Sequence, residues 1–294
     1  MKLRQSLYRA TGFASGGSMA DSEHTDLFSP LRAGALKLPH RLVLAGLPSA
    51  RPLAQGLPDA AMVEFYQRRS DAALMITEPV LAGSSSVVKG PGPCLEPGGS
   101  LRQWSAFSHD VRREGGRLAL QLWKGQPSTK PQELRTWAQD VGRVAAAAMN
   151  LGFEAVEWIL PQGWLTQGHA VEACLPQLNA AVGSGRLALR LNLQEPASPL
   201  DPGMQAISQL CAGQLAWLRV VASRDVLRPW TQPMRQWLRA LHCPLILSSD
   251  SARPEDLHVG SQNMDADALC FGTAYELNPD LPQTLRQWSA RSRA

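Results

Sequence analysis

Two carboxylates set inside apolar runs are the residues that most invite a chemical reading. Glu78 in "ALMITEPV" and Glu157 in "AVEWIL" sit in strand-like segments. Facing one another inside a fold, such carboxylates can divide acid and base roles between them. A carboxylate buried beside a guanidinium is instead held ionised as half of an ion pair. Arg190 in "RLALRLN" supplies such a cation, and an ion pair with it outweighs acid–base work as the expectation. His169 and Cys174 lie five residues apart, near one and a half helical turns, where an imidazole can activate a thiol. No acid orients the histidine and nothing marks an oxyanion site, so a solvated His169 and a buried Cys174 are expected. Asp250, Asp265 and Asp267 fall near strand ends, but the last two precede their strand and belong to the opposite end of the fold, so no metal site is expected. The five cysteines form no CxxC pair and suit neither a zinc site nor a disulfide framework.

Of nine tryptophans, those at 104, 137, 230, 237 and 288 fall on helical stretches where packing is their role. Trp158 points outward under a helix, while Trp123 and Trp164 end strands and stand near a pocket.

From residue 38 one grammar repeats eight times: a short apolar run bounded by turn residues, then a longer stretch with apolar positions three and four apart. The strands are expected at 41–47, 73–80, 117–123, 155–160, 186–192, 215–222, 244–249 and 268–274. Helices are expected at 59–72, 100–115, 131–151, 170–182, 203–212, 230–241, 253–262 and 279–291. The starts "LPDAAM", "GGSLRQW", "TKPQEL" and "NPDLPQTL" pair a cap residue or proline with a first-turn acid or amide. Nearly continuous apolar strands are those buried on both faces. Eight such alternations close a parallel sheet into a (β/α)8 barrel, one domain over residues 26–294. An open doubly wound sheet would carry a glycine-rich fingerprint after its first strand, and "AGLPSARPLAQG" has none.

Composition narrows the function classes. With 44% apolar and 18% charged residues, the 294-residue chain can bury a sizeable core. Three of its four net positive charges fall in the first eighteen residues, at Lys2, Arg4 and Arg9, which leaves little electrostatic support for nucleic-acid binding. No apolar run approaches bilayer length, so no membrane association is expected, and a cytoplasmic location fits the cysteine usage. Residues 1–25, with the Gly/Ser-rich "ATGFASGGS", are expected to form a flexible leader, with Met19 a candidate initiator.

The strings "DLFSPLRAGALKLPHRLVLAGL" (26–47), "ITEPV" (76–80), "GGRLALQLW" (115–123), "AMNLGFEAVE" (148–157) and "FGTAYELNPDLP" (271–282) fall in order along the chain. Together they resemble the Old Yellow Enzyme, or NADH:flavin oxidoreductase, family. The resemblance implies a barrel binding FMN, reduced by NAD(P)H, that passes hydride to an activated alkene or similar acceptor. It implies that Gln121 meets the flavin pyrimidine edge, with Trp123 following as in the family, and that Arg190 stands near N1 and the C2 carbonyl of the ring. Gly272 matches the glycine of the family's phosphate-binding Gly-Arg pair.

Other positions depart from the family pattern. Ile159, Gln162 and Trp164 stand where the family has its substrate-binding His, a second His or Asn, and a proton-donating Tyr. Ile159 donates no hydrogen bond, and Trp164 has no proton to give at neutral pH. Pro48 replaces a flavin-tuning hydroxyl, with Ser49 next to it, and Lys124 stands where a His often follows the tryptophan. At the phosphate end Ser249–Asp250 and Gly272–Thr273 replace a Gly-Gly turn and a Gly-Arg pair, leaving Ser249 and Thr273 as weaker candidate contacts. The loops after the third and fourth strands are short. Three functions stay open on these residues: a flavin oxidoreductase with altered cofactor grip, a catalytically inactive binding or partner protein, and a flavin-free enzyme using Lys124, Arg190, Glu78 or Glu157.

Overall fold

The computed structural model describes residues 27–46, 53, 56–82, 92–97, 99–123, 131–160, 168–193, 201–211, 214–222, 232–249 and 266–292. In chain order the strands are β1 (Leu31–Ala33), β2 (Leu36–Leu38), β3 (Leu42–Leu44), β4 (Leu74–Ile76), β5 (Val80–Ala82), β6 (Cys94–Leu95), β7 (Leu118–Trp123), β8 (Ala155–Ile159), β9 (Leu187–Leu193), β10 (Leu215–Ala222), β11 (Leu245–Ser249) and β12 (Ala268–Phe271). The helices are α1 (Ala60–Gln67), α2 (Leu101–Arg113), α3 (Pro131–Asn150), α4 (Gly168–Val182), α5 (Pro202–Cys211), α6 (Gln232–Ala240), α7 (Thr273–Leu277) and α8 (Leu281–Ser292).

Parallel pairing runs from β3 through β4, β7, β8, β9, β10 and β11 to β12, and β12 pairs back onto β3 (Cys270 opposite Val43), which closes the eight-stranded barrel. The second strand expected at 73–80 is two pieces. It stops at Ile76 and resumes at Val80, where β5 pairs with the end of β7. Pro79, which has no N–H for a ladder, lies in the gap. The eighth strand is shorter than expected. It ends at Phe271, and the backbone turns at Gly272 into α7.

Helix starts follow the local chemistry in part. Asp59 caps α1, its carboxylate accepting from Met62 N at 2.9 Å. Ser100 occupies the cap position of α2, but its hydroxyl is spent on Glu96, accepting from Glu96 N at 2.9 Å and donating to Glu96 O. Pro131 opens α3 with Glu133 in its first turn.

Alternation along the strands, broken on β10 by the irregularity between Leu215 and Leu218, divides the core in two. Outward residues such as Leu120, Val156, Trp158, Leu189 and Leu247 pack under the helices with Trp104, Phe107 and Leu175. Inward positions toward the N-terminal end of the barrel are mostly small: Ala73, Ala119, Ala155, Ala188, Ala216 and Ala268. The space they leave is filled by Leu31, Leu36 and Leu38 of the antiparallel β1–β2 hairpin, which plugs that end. At its tip Gly34 has φ +56°, and a Cβ there would lie 2.3 Å from Gly185 O and 2.7 Å from Ala216 Cα, so the close approach requires glycine. Ala35 N donates to Gly185 O at 2.9 Å, and Arg117 Nη1 donates to Lys37 O at 2.7 Å.

Candidate functional site

The hairpin closes one end of the barrel, so the chemistry-bearing residues collect toward the other. Inward alternation on β7 places Gln121 after Ala119, on β8 Glu157 after Ala155, and on β9 Arg190 after Ala188. Gln121 and Glu157 are fully buried, whereas Arg190 and Trp123 are partly exposed and Asn192 is exposed, so solvent access rises toward the strand C-termini.

Glu157 is not the partner of Arg190, contrary to the sequence expectation. Its partner is Arg219 of β10, 2% exposed. Arg219 Nε donates to Oε1 at 2.8 Å and Oε2 at 3.1 Å, and Nη2 donates to Oε2 at 2.5 Å. Trp217 Nε1 adds a donor to Oε1 at 2.9 Å and Gln121 Nε2 one to Oε2 at 2.7 Å. The physical reason lies in the register. Arg190 pairs with Ile159, two residues beyond Glu157 on the neighbouring strand, whereas Arg219, opposite Arg190, lies one strand farther round, where the stagger of the barrel puts alternate strands β8 and β10 in one layer. Arg190 Nη1 instead donates to Gln121 Oε1 at 3.1 Å and Nε to Asn192 Oδ1 at 3.0 Å. Glu78 has its backbone N–H bound to Tyr66 Oη at 2.9 Å.

Burial alone would push Glu157 up. The charge of Arg219, its hydrogen bonds and that of Trp217, and the charge of Arg190 override burial and hold the carboxyl below the usual range. Burial would likewise lower Arg219, but Glu157 outweighs it and keeps the guanidinium charged. An ion-paired Glu157 held below the usual carboxyl range is unsuited to general acid work. Arg219 Nη1 also reaches Ser248 Oγ at 3.3 Å and Cys270 Sγ at 3.9 Å, completing a polar band across β7 to β12.

The structure thus joins Gln121 and Arg190 into one cluster. Ile159 ends β8, buried and apolar, level with Arg190. Gly272 precedes α7, and Thr273 is its first residue, both partly exposed. Ser249 ends β11. Gln162, Trp164, Lys124, Pro48, Ser49, Asp250 and Asp265 lie outside the described residues, as do the 1–25 leader, the helix expected at 253–262 and the side chain of His169. Cys174 is buried, and burial pushes its thiol up to about 12, which removes it as a nucleophile. Asp267 lies at the strand N-termini as expected, its Oδ2 accepting from Leu245 N at 2.8 Å. Among the described residues no group of three His, Cys, Asp or Glu is arranged to hold a metal, and no helix is long and apolar enough to cross a membrane.

Sequence reasoning missed Arg219 and Trp217. Their signal was an isolated cation in a strand buried on both faces, which demands a buried anion, and Glu157 had been assigned elsewhere.

Comparison with known proteins decides the lineage. Residues 26–163 match the model of the NADH:flavin oxidoreductase / NADH oxidase family. The chain is 31% identical to flavin oxidoreductase hxnT of Emericella nidulans, over 92% of both proteins. It belongs to the NADH:flavin oxidoreductase family. It is also 32% identical to 12-oxophytodienoate reductase 7 of Oryza sativa subsp. japonica, covering 88% of this chain and 87% of the relative. Among solved structures, morphinone reductase superposes with a TM-score of 0.73 at 21% identity over 91% of each chain. The old yellow enzyme homologue of Zymomonas mobilis gives 0.76 at 19% identity, over 89% of this chain and 92% of that one. At these identities the superpositions establish the fold, and the NADH:flavin oxidoreductase barrel is that of this chain.

Proposed function

We propose that this family member is an FMN-dependent NAD(P)H oxidoreductase acting on an activated alkene or related acceptor, with altered grip on the FMN phosphate and on the acceptor. The observation that carries this reading is the pairing of Gln121 with a partly exposed Arg190 toward the barrel mouth. A guanidinium braced by a buried amide suits the acceptor-rich pyrimidine edge of a flavin. When bound, FMN supplies the hydride chemistry that no side chain can.

The protein's own contributions follow from its residues. Arg190 would donate to the flavin edge and offset negative charge there, while Gln121, buried beneath it, accepts from its Nη1 and holds it in place. Ile159 contributes shape but no hydrogen bond, so an acceptor's carbonyl gains no polarisation from that position. At the phosphate end Gly272 offers backbone without a side chain in the way, and Thr273 offers a hydroxyl where the family resemblance implies an arginine.

Ile159 also favours a second reading, a binding or partner protein descended from such an enzyme, because a buried aliphatic residue offers an acceptor's carbonyl no hydrogen bond. The visible absorption of the purified protein, followed by FMN titration of wild type and Arg190→Ala, separates the two. A yellow protein whose FMN affinity falls on Arg190→Ala supports the oxidoreductase, and NADH and NADPH oxidation then tests turnover. A colourless protein that ignores millimolar FMN overturns it in favour of the partner reading.

A further inference from the structure

We infer that Glu157 and Arg219 are positioning residues for the barrel mouth: they fix the amide of Gln121 in one orientation and, through it, the place of the Arg190 guanidinium. A carboxylate only accepts hydrogen bonds and a guanidinium only donates them. Gln121 bridges one of each, with Nε2 on Glu157 Oε2 at 2.7 Å and Oε1 on Arg190 Nη1 at 3.1 Å. An amide in that place has a single self-consistent orientation, its NH2 inward and its carbonyl toward Arg190.

The rest of the cluster holds the bridge still. Arg219 occupies both oxygens of Glu157 and is itself anchored on Ser248, while Trp217 fixes Oε1. The backbone N–H of Gln121 is bound to Thr77 Oγ1 at 2.9 Å, so the strand beneath the amide does not drift. Without the carboxylate, the amide is free to turn its NH2 toward Arg190. Two donors would then face each other, and Nη1 of the guanidinium would turn from Gln121 while Nε keeps its bond to Asn192. The geometry offered to a ligand thus depends on a buried ion pair lying deeper than Arg190. Only the identity of that ligand rests on the flavin reading.

The test uses the full chain with Glu157→Gln and Arg219→Gln combined, which leaves no unpaired buried charge. The Gln121 side-chain NH2 and Arg190 Nε–H signals are followed by 15N NMR without FMN, and FMN affinity is measured by quenching of flavin fluorescence. The expected result is displacement of both signals and roughly tenfold weaker FMN binding. Unmoved signals in the folded double variant overturn the proposal, as does displacement with FMN affinity unchanged within about twofold. If the wild type ignores millimolar FMN while the signals still move, the flavin reading falls and the positioning stands. Should the double variant fail to fold, Gln121→Met keeps the ion pair and cuts the link, and an unmoved Arg190 signal there is equally fatal.

Discussion

Arg219→Met strips Glu157 of the guanidinium that grips both its oxygens and leaves a fully buried carboxylate facing Trp217 and Gln121. Removing one member of a buried ion pair costs about 3–5 kcal/mol. The cost depends on pH, because the pH dependence contributed by Glu157 reverses direction between wild type and variant. In the wild type the lowered carboxyl contributes stability that is present above the unfolded value of about 4.3 and lost as pH falls through the folded one. In the variant burial, the largest influence on Glu157, prevails and raises the carboxyl. The folded state then binds more protons than the unfolded, so stability falls as pH rises above about 4.3. Urea unfolding of wild type, Arg219→Met and Glu157→Leu/Arg219→Met at about pH 5 and about pH 8 measures this. The single variant is expected to lose about 3–5 kcal/mol at the higher pH and clearly less at the lower, and the apolar pair to recover most of the loss. Equal deficits at both pH values, or a double variant weaker than the single one, would refute the argument.

Three further outcomes follow from other parts of the barrel. Gly34→Ala places a Cβ against Gly185 O and Ala216 Cα at positive φ and should cost roughly 2 kcal/mol or more, read from the urea midpoint. His40 is held neutral, because Nδ1 accepts from Leu42 N and Nε2 therefore donates to Asp71 O, and burial is the main cause lowering it. The unfolded chain takes up the proton first, so stability should drop as pH falls below about 6.5, and His40→Gln should flatten that limb of the melting curve. Cys174 should resist iodoacetamide in the native protein at about pH 8 and react only after denaturation, as mass spectrometry would read.

The barrel was legible because its strands are buried on both faces and its helices carry their own start signals. The β10 bounds fall where the apolar run "LAWLRVVA" begins and ends, and α3 begins on its proline. Strand eight is shorter than its apolar run because nothing in "ALCFGTA" announces that Gly272 turns the chain before a helix, and Pro79 divides strand two inside one apolar run. In the site, family likeness located Gln121 and Arg190, but the partner of Glu157 was misassigned. Types and parity allow either arginine, which pair with each other across β9 and β10, and the choice depends on the stagger of successive strands around the barrel, which a linear sequence does not encode.

The hairpin plug also sets a timetable for synthesis. Its leucines leave the ribosome early, yet Gly185 and Ala216, the backbone they dock against, emerge about 150 to 180 residues later, a wait of roughly ten to thirty seconds at ordinary elongation rates. Through that interval the nascent chain carries three leucines, at 31, 36 and 38, with nowhere to go. The stopper is therefore made early and seated late, once the middle strands have arrived.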